Sequence, residues 1–410
     1  MTNRSGEEVG IVLAGIGGYG EGYLRRILDS QADRNIRLVG AVDPYPQRCG
    51  SLDKLKAQSV RLYDSLAQFY RDSSADLAII CSPIHMHKPQ TCLALMQGSH
   101  VLCEKPLTAT IQDAREMAVA QQEAEKFVAV GYQWSFSQAI QSLKRDIIAG
   151  RLGKPLRLRT IVLWPRRHSY YRRNDWAGAL KSPDRQWVLD SPANNAAAHF
   201  LHNMFYVLGG AARTSAMPAK VQAELYRAND ITNYDTAAIR CRTDAGTEVL
   251  FYATHAVNVQ RGPVFSYEFE HATVVFGDDP EDNLIANFHD GSREVYGNPD
   301  ADNFAKLDLA VDCVRTGDEP LCTIQAATAQ TLAINGAQES AHGVTPLPAD
   351  LIEVTEIDDD RLTWVHGLTE QLQDCYDGGC LPSEHGRIDW TRPGRIVDMR
   401  NYRFFPAAEK

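Results

Sequence analysis

Residues 12–20 read "VLAGIGGYG", with glycines at 15, 17 and 20. Their surroundings limit what the chain can fold into more than the glycines do. An apolar, β-rich run over residues 9–14 precedes them. A helix follows from about Tyr19, with Tyr23, Leu24, Ile27 and Leu28 at helical spacing. A second apolar run, Ile36 to Val42, ends in Asp43, 23 positions after Gly20. That is close to the ~20 residues that separate the last glycine of a dinucleotide-binding turn from its ribose-binding acid. Strand, turn, helix, strand and acid therefore stand in the order such a site requires.

In that reading Gly15 permits the tight turn, Gly17 lets backbone approach a pyrophosphate, and Gly20 lets helix and strand pack closely. The helix N-terminus offers unpaired N–H groups and partial positive charge to the phosphates. Gly15, Ile16, Gly17, Gly18, Tyr19 and Gly20 are thus candidate cofactor residues. Asp43 would accept hydrogen bonds from ribose hydroxyls and repel a 2′-phosphate, which favours NAD over NADP. Arg48, five residues on, keeps NADP open. The competing reading is that the glycines only make a turn and Asp43 caps a strand end.

The alternation continues. Strands are expected at 75–83, 100–106 and 127–133, with helices over 84–98 and 107–126 between them. Such a pattern implies a doubly wound parallel sheet, whose ligands bind at the carboxyl ends of the strands. That places Ser82, Pro83, Glu104, Lys105 and Gln133 in the cofactor crevice. Pro106 restricts Lys105 to extended backbone. An ammonium there can hydrogen-bond a substrate hydroxyl, stabilise a developing alkoxide and join a proton relay. A surface lysine laying its stem over apolar neighbours is the plainer alternative.

The 410 residues suffice for two large domains, with boundaries expected at 1–133 and 134–410. A formal net charge of −10 argues against a general nucleic-acid binder, which would need to neutralise phosphates. The nine cysteines are scattered, without a CxxC pair, so neither a zinc knuckle nor a disulfide framework is suggested. A reducing cytoplasm is the simplest compartment. The N-terminal "MTNRSGEEVGIVLAG" does not read as a signal peptide, and no run of 18 apolar residues suggests a membrane span.

Beyond residue 133 an amphipathic helix (Phe136, Ile140, Leu143, Ile147) ends at Gly150. Strand-like runs follow at 156–164, 219–227, 236–243, 247–257 and 265–277. They predict an α+β domain with an open, mostly antiparallel sheet, one face on helices. "EVTEIDDDR" (353–361) reads as a solvated segment. In "WVLDSPANNAAAHFLHNMFYVLGG", Asn195, His199 and His202 are spaced to share one helix face, with Asn194 beside them. No carboxylate stands near on that face, and metal binding is not expected. A core position is the alternative for either histidine. Arg, Tyr171 and Trp176 in "RRHSYYRRNDWAG" (166–178) either line a sugar site or form a surface loop.

"GIGGYG", "VDP", "CSPIHMH", "VLCEKPLT" and "GYQWSF" stand in the order and spacing of the Gfo/Idh/MocA oxidoreductases, which this chain resembles over at least residues 8–210. The resemblance implies an N-terminal Rossmann domain and an NAD(P)-dependent dehydrogenase of a sugar, cyclitol or glycoside. It makes Lys105 the catalytic lysine and puts His85 and His87 near the cofactor. His199 becomes the general acid/base, with an unperturbed pKa near ~6.5 suited to proton transfer. Asn195 stands where many members have aspartate and would orient a substrate hydroxyl. Asn194, His202, Tyr171 and Trp176 would complete the substrate side. A homodimer or homotetramer formed through the second domain's sheet is also implied. Some members instead retain NAD and cleave glycosides by transient oxidation and elimination. A few are thought to be non-enzymatic sensors, which have no need of both Lys105 and His199.

Overall fold

In the computed structural model, which describes residues 6–277 and 279–407, the chain divides into two compact units. Residues 1–5, on which part of the signal-peptide reading rests, lie outside the described residues. The first unit comprises the chain up to Thr108, Gln112–Ser137 and Asp302–Ala327. The expected boundary at 133/134 therefore falls slightly later. The return of residues 302–327 to the first unit was not foreseen.

The first unit is built from β1 (Val9–Ala14), α1 (Tyr19–Arg34), β2 (Ile36–Val42), α2 (Leu52–Ala57), β3 (Leu62–Tyr63), α3 (Leu66–Asp72) and β4 (Leu77–Ile80). It continues through α4 (Ile84–Met96), β5 (His100–Cys103), α5 (Ile111–Ala124) and β6 (Val128–Val130). The strands form one parallel sheet in the order β3-β2-β1-β4-β5-β6. All residues of β1 and β4 are buried, as expected of strands covered on both faces. Ala14 pairs with Val42 and Ile80, Ile80 with Cys103, and Cys103 with Val130. This register ends the strands level, so the segments after them share one crest. The strand order reverses between β1 and β4, the switch point at which such sheets bind ligands. α5 starts at Ile111 rather than 107, because the chain after Pro106 runs irregularly before it turns.

The second unit contains α6 (Gln138–Ile148), β7 (Pro155–Leu163), α7 (His168–Arg172), α8 (Ala198–Val207), β8 (Pro218–Arg227), β9 (Thr236–Thr243) and β10 (Glu248–Thr254). Then come β11 (Arg261–Phe269), β12 (Ala272–Phe276), β13 (Leu284–Phe288), β14 (Arg293–Gly297), β15 (Thr345–Pro346), β16 (Ile352–Ile357), β17 (Asp360–Val365) and β18 (Val397–Asp398). The main sheet runs β14-β13-β12-β11-β7-β10-β9-β8-β15, with β18 on β8. Among the described residues of this sheet only the β7/β10 and β8/β15 pairs are parallel. The single run expected at 265–277 is a hairpin, β11 and β12, that turns at Glu270 and His271.

Every residue of β10 is buried, so the middle of the sheet is covered on both faces, whereas β12 alternates buried with half-buried residues as the one-faced expectation has it. Leu250 and Tyr252 pack against Leu368, Leu372 and Tyr376 of the helix Leu368–Gly378. On the other face, α8 meets β11 through Asn203 and Tyr267, and Gly336 of the helix Ile324–Ala341 lies against Val221 of β8. "EVTEIDDDR" forms most of the β16/β17 hairpin, turning at Asp358 with φ 56°. Its exposure fits the solvated reading; its strand pairing was missed. Among the described residues no helix is long and apolar enough to cross a membrane.

Candidate functional site

The three glycines have separate reasons to be glycine. Gly15 has φ +85°, and a Cβ there would lie 2.8 Å from the Cys81 carbonyl. A Cβ on Gly20 would lie 1.8 Å from the Gly15 oxygen. These two are demanded by the fold. A Cβ on Gly17 would meet only the Arg48 Cβ, at 3.9 Å, an ordinary contact. The fold therefore leaves space over Gly17, the position whose backbone would approach a pyrophosphate. α1 begins directly after, and its cap residue, Gly18, supplies no side chain to the first-turn N–H groups.

Asp43 is tied to this turn. Its Oδ2 accepts a hydrogen bond from Ile16 N at 3.1 Å and its Oδ1 one from Tyr45 N at 2.8 Å. Each oxygen keeps a further lone pair for ribose hydroxyls. The capping reading holds here, and a loop-capping acid can also be a ribose acceptor. Arg48 is exposed, its guanidinium 4.7 Å from the Tyr45 ring centre.

Two residues expected at the cofactor are instead buried beneath the crest. His87 is 1% exposed, with Nε2 at 2.9 Å from the Ser82 oxygen and Nδ1 at 2.8 Å from the Pro106 oxygen. It braces the segment after β4 against the segment after β5, and burial pushes its pKa down. Glu104 accepts from the Tyr23 hydroxyl at 2.7 Å and from the Lys105 backbone N–H at 3.1 Å. It also pairs with the ammonium of Lys306, whose side chain is fully buried. Both groups position the crest and have protein partners where a cofactor contact was expected. Ser82 donates to Gln90 at 2.6 Å, and Pro83 leads into α4, whose first turn carries a half-buried His85. Lys105 is half-buried at the end of β5.

Lys306 was missed. It donates to Glu104, to the Tyr19 hydroxyl at 3.0 Å and to the Gly131 oxygen at 3.1 Å. Burial is the largest single influence and lowers its pKa, but the charges and hydrogen bonds of Glu104 and Tyr19 together outweigh it and hold it above the ordinary lysine value. Tyr19 donates to Gln133 at 3.3 Å, and Gln133 donates to Asn303 at 2.7 Å. The Phe304 ring lies 5.9 Å from Tyr19 and 5.1 Å from Tyr23. A local signal did exist: Lys306 stands one turn before Ala310, in a helix whose buried residues include Leu307, Ala310 and Val311.

In the second unit, Asn194 and Asn195 lie in turns before α8, not on it. Asn195 Nδ2 donates to Asp190 Oδ1 at 2.6 Å, and Asp190 Oδ2 accepts from Gly178 N at 2.6 Å. Asp190 is 2% exposed and supplies the carboxylate that spacing had not revealed. Asn194 is fully buried; its Nδ2 donates to the Leu189 oxygen at 3.2 Å and its Oδ1 accepts from Gln330 at 3.2 Å. It holds the loop. His202 is likewise a core residue, stacked on Tyr206 at 5.5 Å. Burial, with the Lys144 charge, pushes its pKa down to about 3. On α8 only His199 escapes full burial. Trp176 is half-buried with the Arg173 guanidinium 5.4 Å from its ring, and Tyr171 packs edge-on to Tyr170 at 5.3 Å.

Strand order, level strand ends and the open glycine turn with its acid define the first unit as a dinucleotide-binding fold. Residues 9–132 match the Gfo/Idh/MocA oxidoreductase family, NAD-binding Rossmann fold. This match, under a third of the chain, covers the stretch in which the GIGGYG, VDP, CSPIHMH and VLCEKPLT motifs stand. It is 35% identical over 95 residues to 1,5-anhydro-D-fructose reductase from Ensifer adhaerens, covering 23% of this chain and 28% of the relative. It is 27% identical over 150 residues to inositol 2-dehydrogenase from Paracoccus denitrificans, covering 36% and 43%. The matches therefore span less than half of either relative. The fold extends further: the WlbA dehydrogenase from Bordetella pertussis, solved with NADH and UDP-GlcNAcA, superposes with a TM-score of 0.68 at 22% identity. That superposition covers 82% of this chain and 97% of WlbA.

Proposed function

We propose that this protein is an NAD-dependent oxidoreductase that transfers hydride between the nicotinamide and a hydroxyl-bearing ring carbon of a sugar, cyclitol or glycoside. The observation that carries the reading is the space over Gly17, bounded by an uncapped helix start and by Asp43. These features fit a dinucleotide whose pyrophosphate sits on the turn and whose ribose faces the acid. The two relatives named above carry a sugar and a cyclitol in their names, which supports the substrate class.

NAD supplies the hydride acceptor. Oxidation of the alcohol releases hydride from carbon and a proton from oxygen, and the chain's part is to manage that proton. His199 takes it, Lys105 hydrogen-bonds the hydroxyl oxygen and stabilises its developing negative charge, and Asn195 orients the ring. Asn195 cannot take the proton itself, and its amide nitrogen is already directed to Asp190. Asp43 accepts from the ribose, and Arg48 beside the turn leaves NADP as the second candidate.

The test is the reduced-nicotinamide absorbance band after NAD is added with a panel of sugars, inositols and glycosides. Steady accumulation with one class supports the proposal, and Lys105→Ala and His199→Ala are each expected to slow it by about a hundredfold or more. A stoichiometric change that stalls, with product released, points instead to retained NAD and elimination. Turnover left intact in Lys105→Ala refutes the proton relay.

A further inference from the structure

The loop after β7 and the residue after β10 bring aromatic and cationic groups together within the second unit. The guanidinium carbons of Arg166 and Arg173 lie 5.1 and 3.7 Å from the centre of the Tyr170 ring. Arg166 also lies 5.6 Å from the Trp164 ring. The His255 ring is edge-on to Tyr170 at 5.6 Å, and His255 is 2% exposed. Asp190 lies 4.0 Å from Arg173 and accepts from Asn195, which joins this corner to the turn before His199.

Two groups here each keep one nitrogen unanswered within the protein. Arg166 donates through Nη1 to the Pro165 oxygen at 3.2 Å, but its Nε is buried without a hydrogen-bond partner. Among the described residues no carboxylate pairs with it. A guanidinium stays charged at any physiological pH, and partial burial without a counter-charge is costly. The second group is His255. Its Nδ1 lies 2.8 Å from the Trp164 oxygen, which only accepts, so Nδ1 carries the proton. Burial, reinforced by the Arg166 charge, pushes its pKa down to about 3, so the ring is neutral. Nε2 is then a bare acceptor, buried with no hydrogen-bond partner.

We infer that this corner binds a polyol carrying an anionic substituent, a carboxylate or a phosphate. Arg166 takes the anion, and His255 Nε2 accepts a hydrogen bond from a neighbouring hydroxyl. Arg173 is already paired with Asp190, so the net positive charge of the corner is that of Arg166. The inference names the substrate class of the dehydrogenase proposed above and rests on that reading for its chemistry, though not for its binding test.

That test is calorimetric titration of the full-length protein, with and without NADH. The ligands are glucose, galactose and mannose, their uronates and their 6-phosphates. At least one charged member is expected to bind about tenfold or more tighter than its neutral parent. The series that shows the gain identifies carboxylate or phosphate as the anion. Arg166→Gln is expected to erase the gain and leave NADH affinity unchanged. Arg166→Lys, which keeps the charge, is expected to retain part of it, and melting temperatures verify that both variants fold. His255→Gln is expected to weaken charged and neutral members alike. Equal affinity for charged and neutral sugars, no binding of any charged member, or a gain that survives in Arg166→Gln overturns the inference. Failure of the dehydrogenase reading shows separately, as charged sugars that bind but never yield reduced nicotinamide.

Discussion

Buried histidines show at the scale of single residues how little a residue's type says about its task. The sequence contains twelve; helix spacing nominated His199 and His202, and the family resemblance nominated His85 and His87. His87 and His202 are buried and serve packing or bracing, whereas His255, which nothing nominated, has an unanswered ring nitrogen. Spacing reveals which face a residue is on. It does not reveal how deep the neighbouring elements cover that face. The burial has a measurable consequence. Burial holds the pKa of His202 and of His255 at about 3, below the ~6.5 of an unfolded chain. As pH falls below ~6.5 the unfolded state binds these protons first, so the stability they contribute is complete above ~6.5 and lost toward pH 3. Each is expected to remove about 1 kcal/mol per pH unit in that window. Urea unfolding at pH 7.5, 6 and 5 measures it. A free energy that is flat down to pH 5 contradicts the neutral assignment.

Three elements of the first unit converge on one ammonium. Lys306 joins the start of α1 through Tyr19, the end of β5 through Glu104 and the end of β6 through Gly131. The elements themselves were legible, because a parallel sheet buries whole strands and leaves continuous apolar runs. Their tie was not, because Glu104 and Lys306 are 202 residues apart and no local pattern links them. Lys306→Met is expected to cost about 3 kcal/mol by leaving Glu104 buried without its partner. Adding Glu104→Gln is expected to recover much of that stability without recovering NAD affinity or turnover, because the crest loses its tie in both variants. Melting curves and NAD titrations of the single and double variants measure the two effects. If the double variant regains both stability and NAD affinity, Lys306 is structural only.

At the scale of the whole molecule, the order of elements and the fold of each unit followed from periodicity. The division of labour between the units did not. Residues 302–327 return to the first unit after the long excursion through the main sheet of the second. A sheet expected to have one covered face has both covered at its middle, where residues from the helix Leu368–Gly378 fill the other. Both surprises come from the last third of the chain, where no motif guided the reading. What the sequence motifs and the structure agree on is the glycine turn, and the account stands on its being a cradle as well as a bend. The direct measurement is an NAD titration of the native protein beside Gly17→Ala and Gly20→Ala. The account predicts saturable binding by the native protein. Gly17→Ala should melt like the native protein and bind about tenfold more weakly, because its methyl group enters the space left for the pyrophosphate. Gly20→Ala should lose stability first, because its methyl group would strike the Gly15 carbonyl. A native protein that does not bind NAD, or a Gly17→Ala variant that binds it as well as the native protein, contradicts the account.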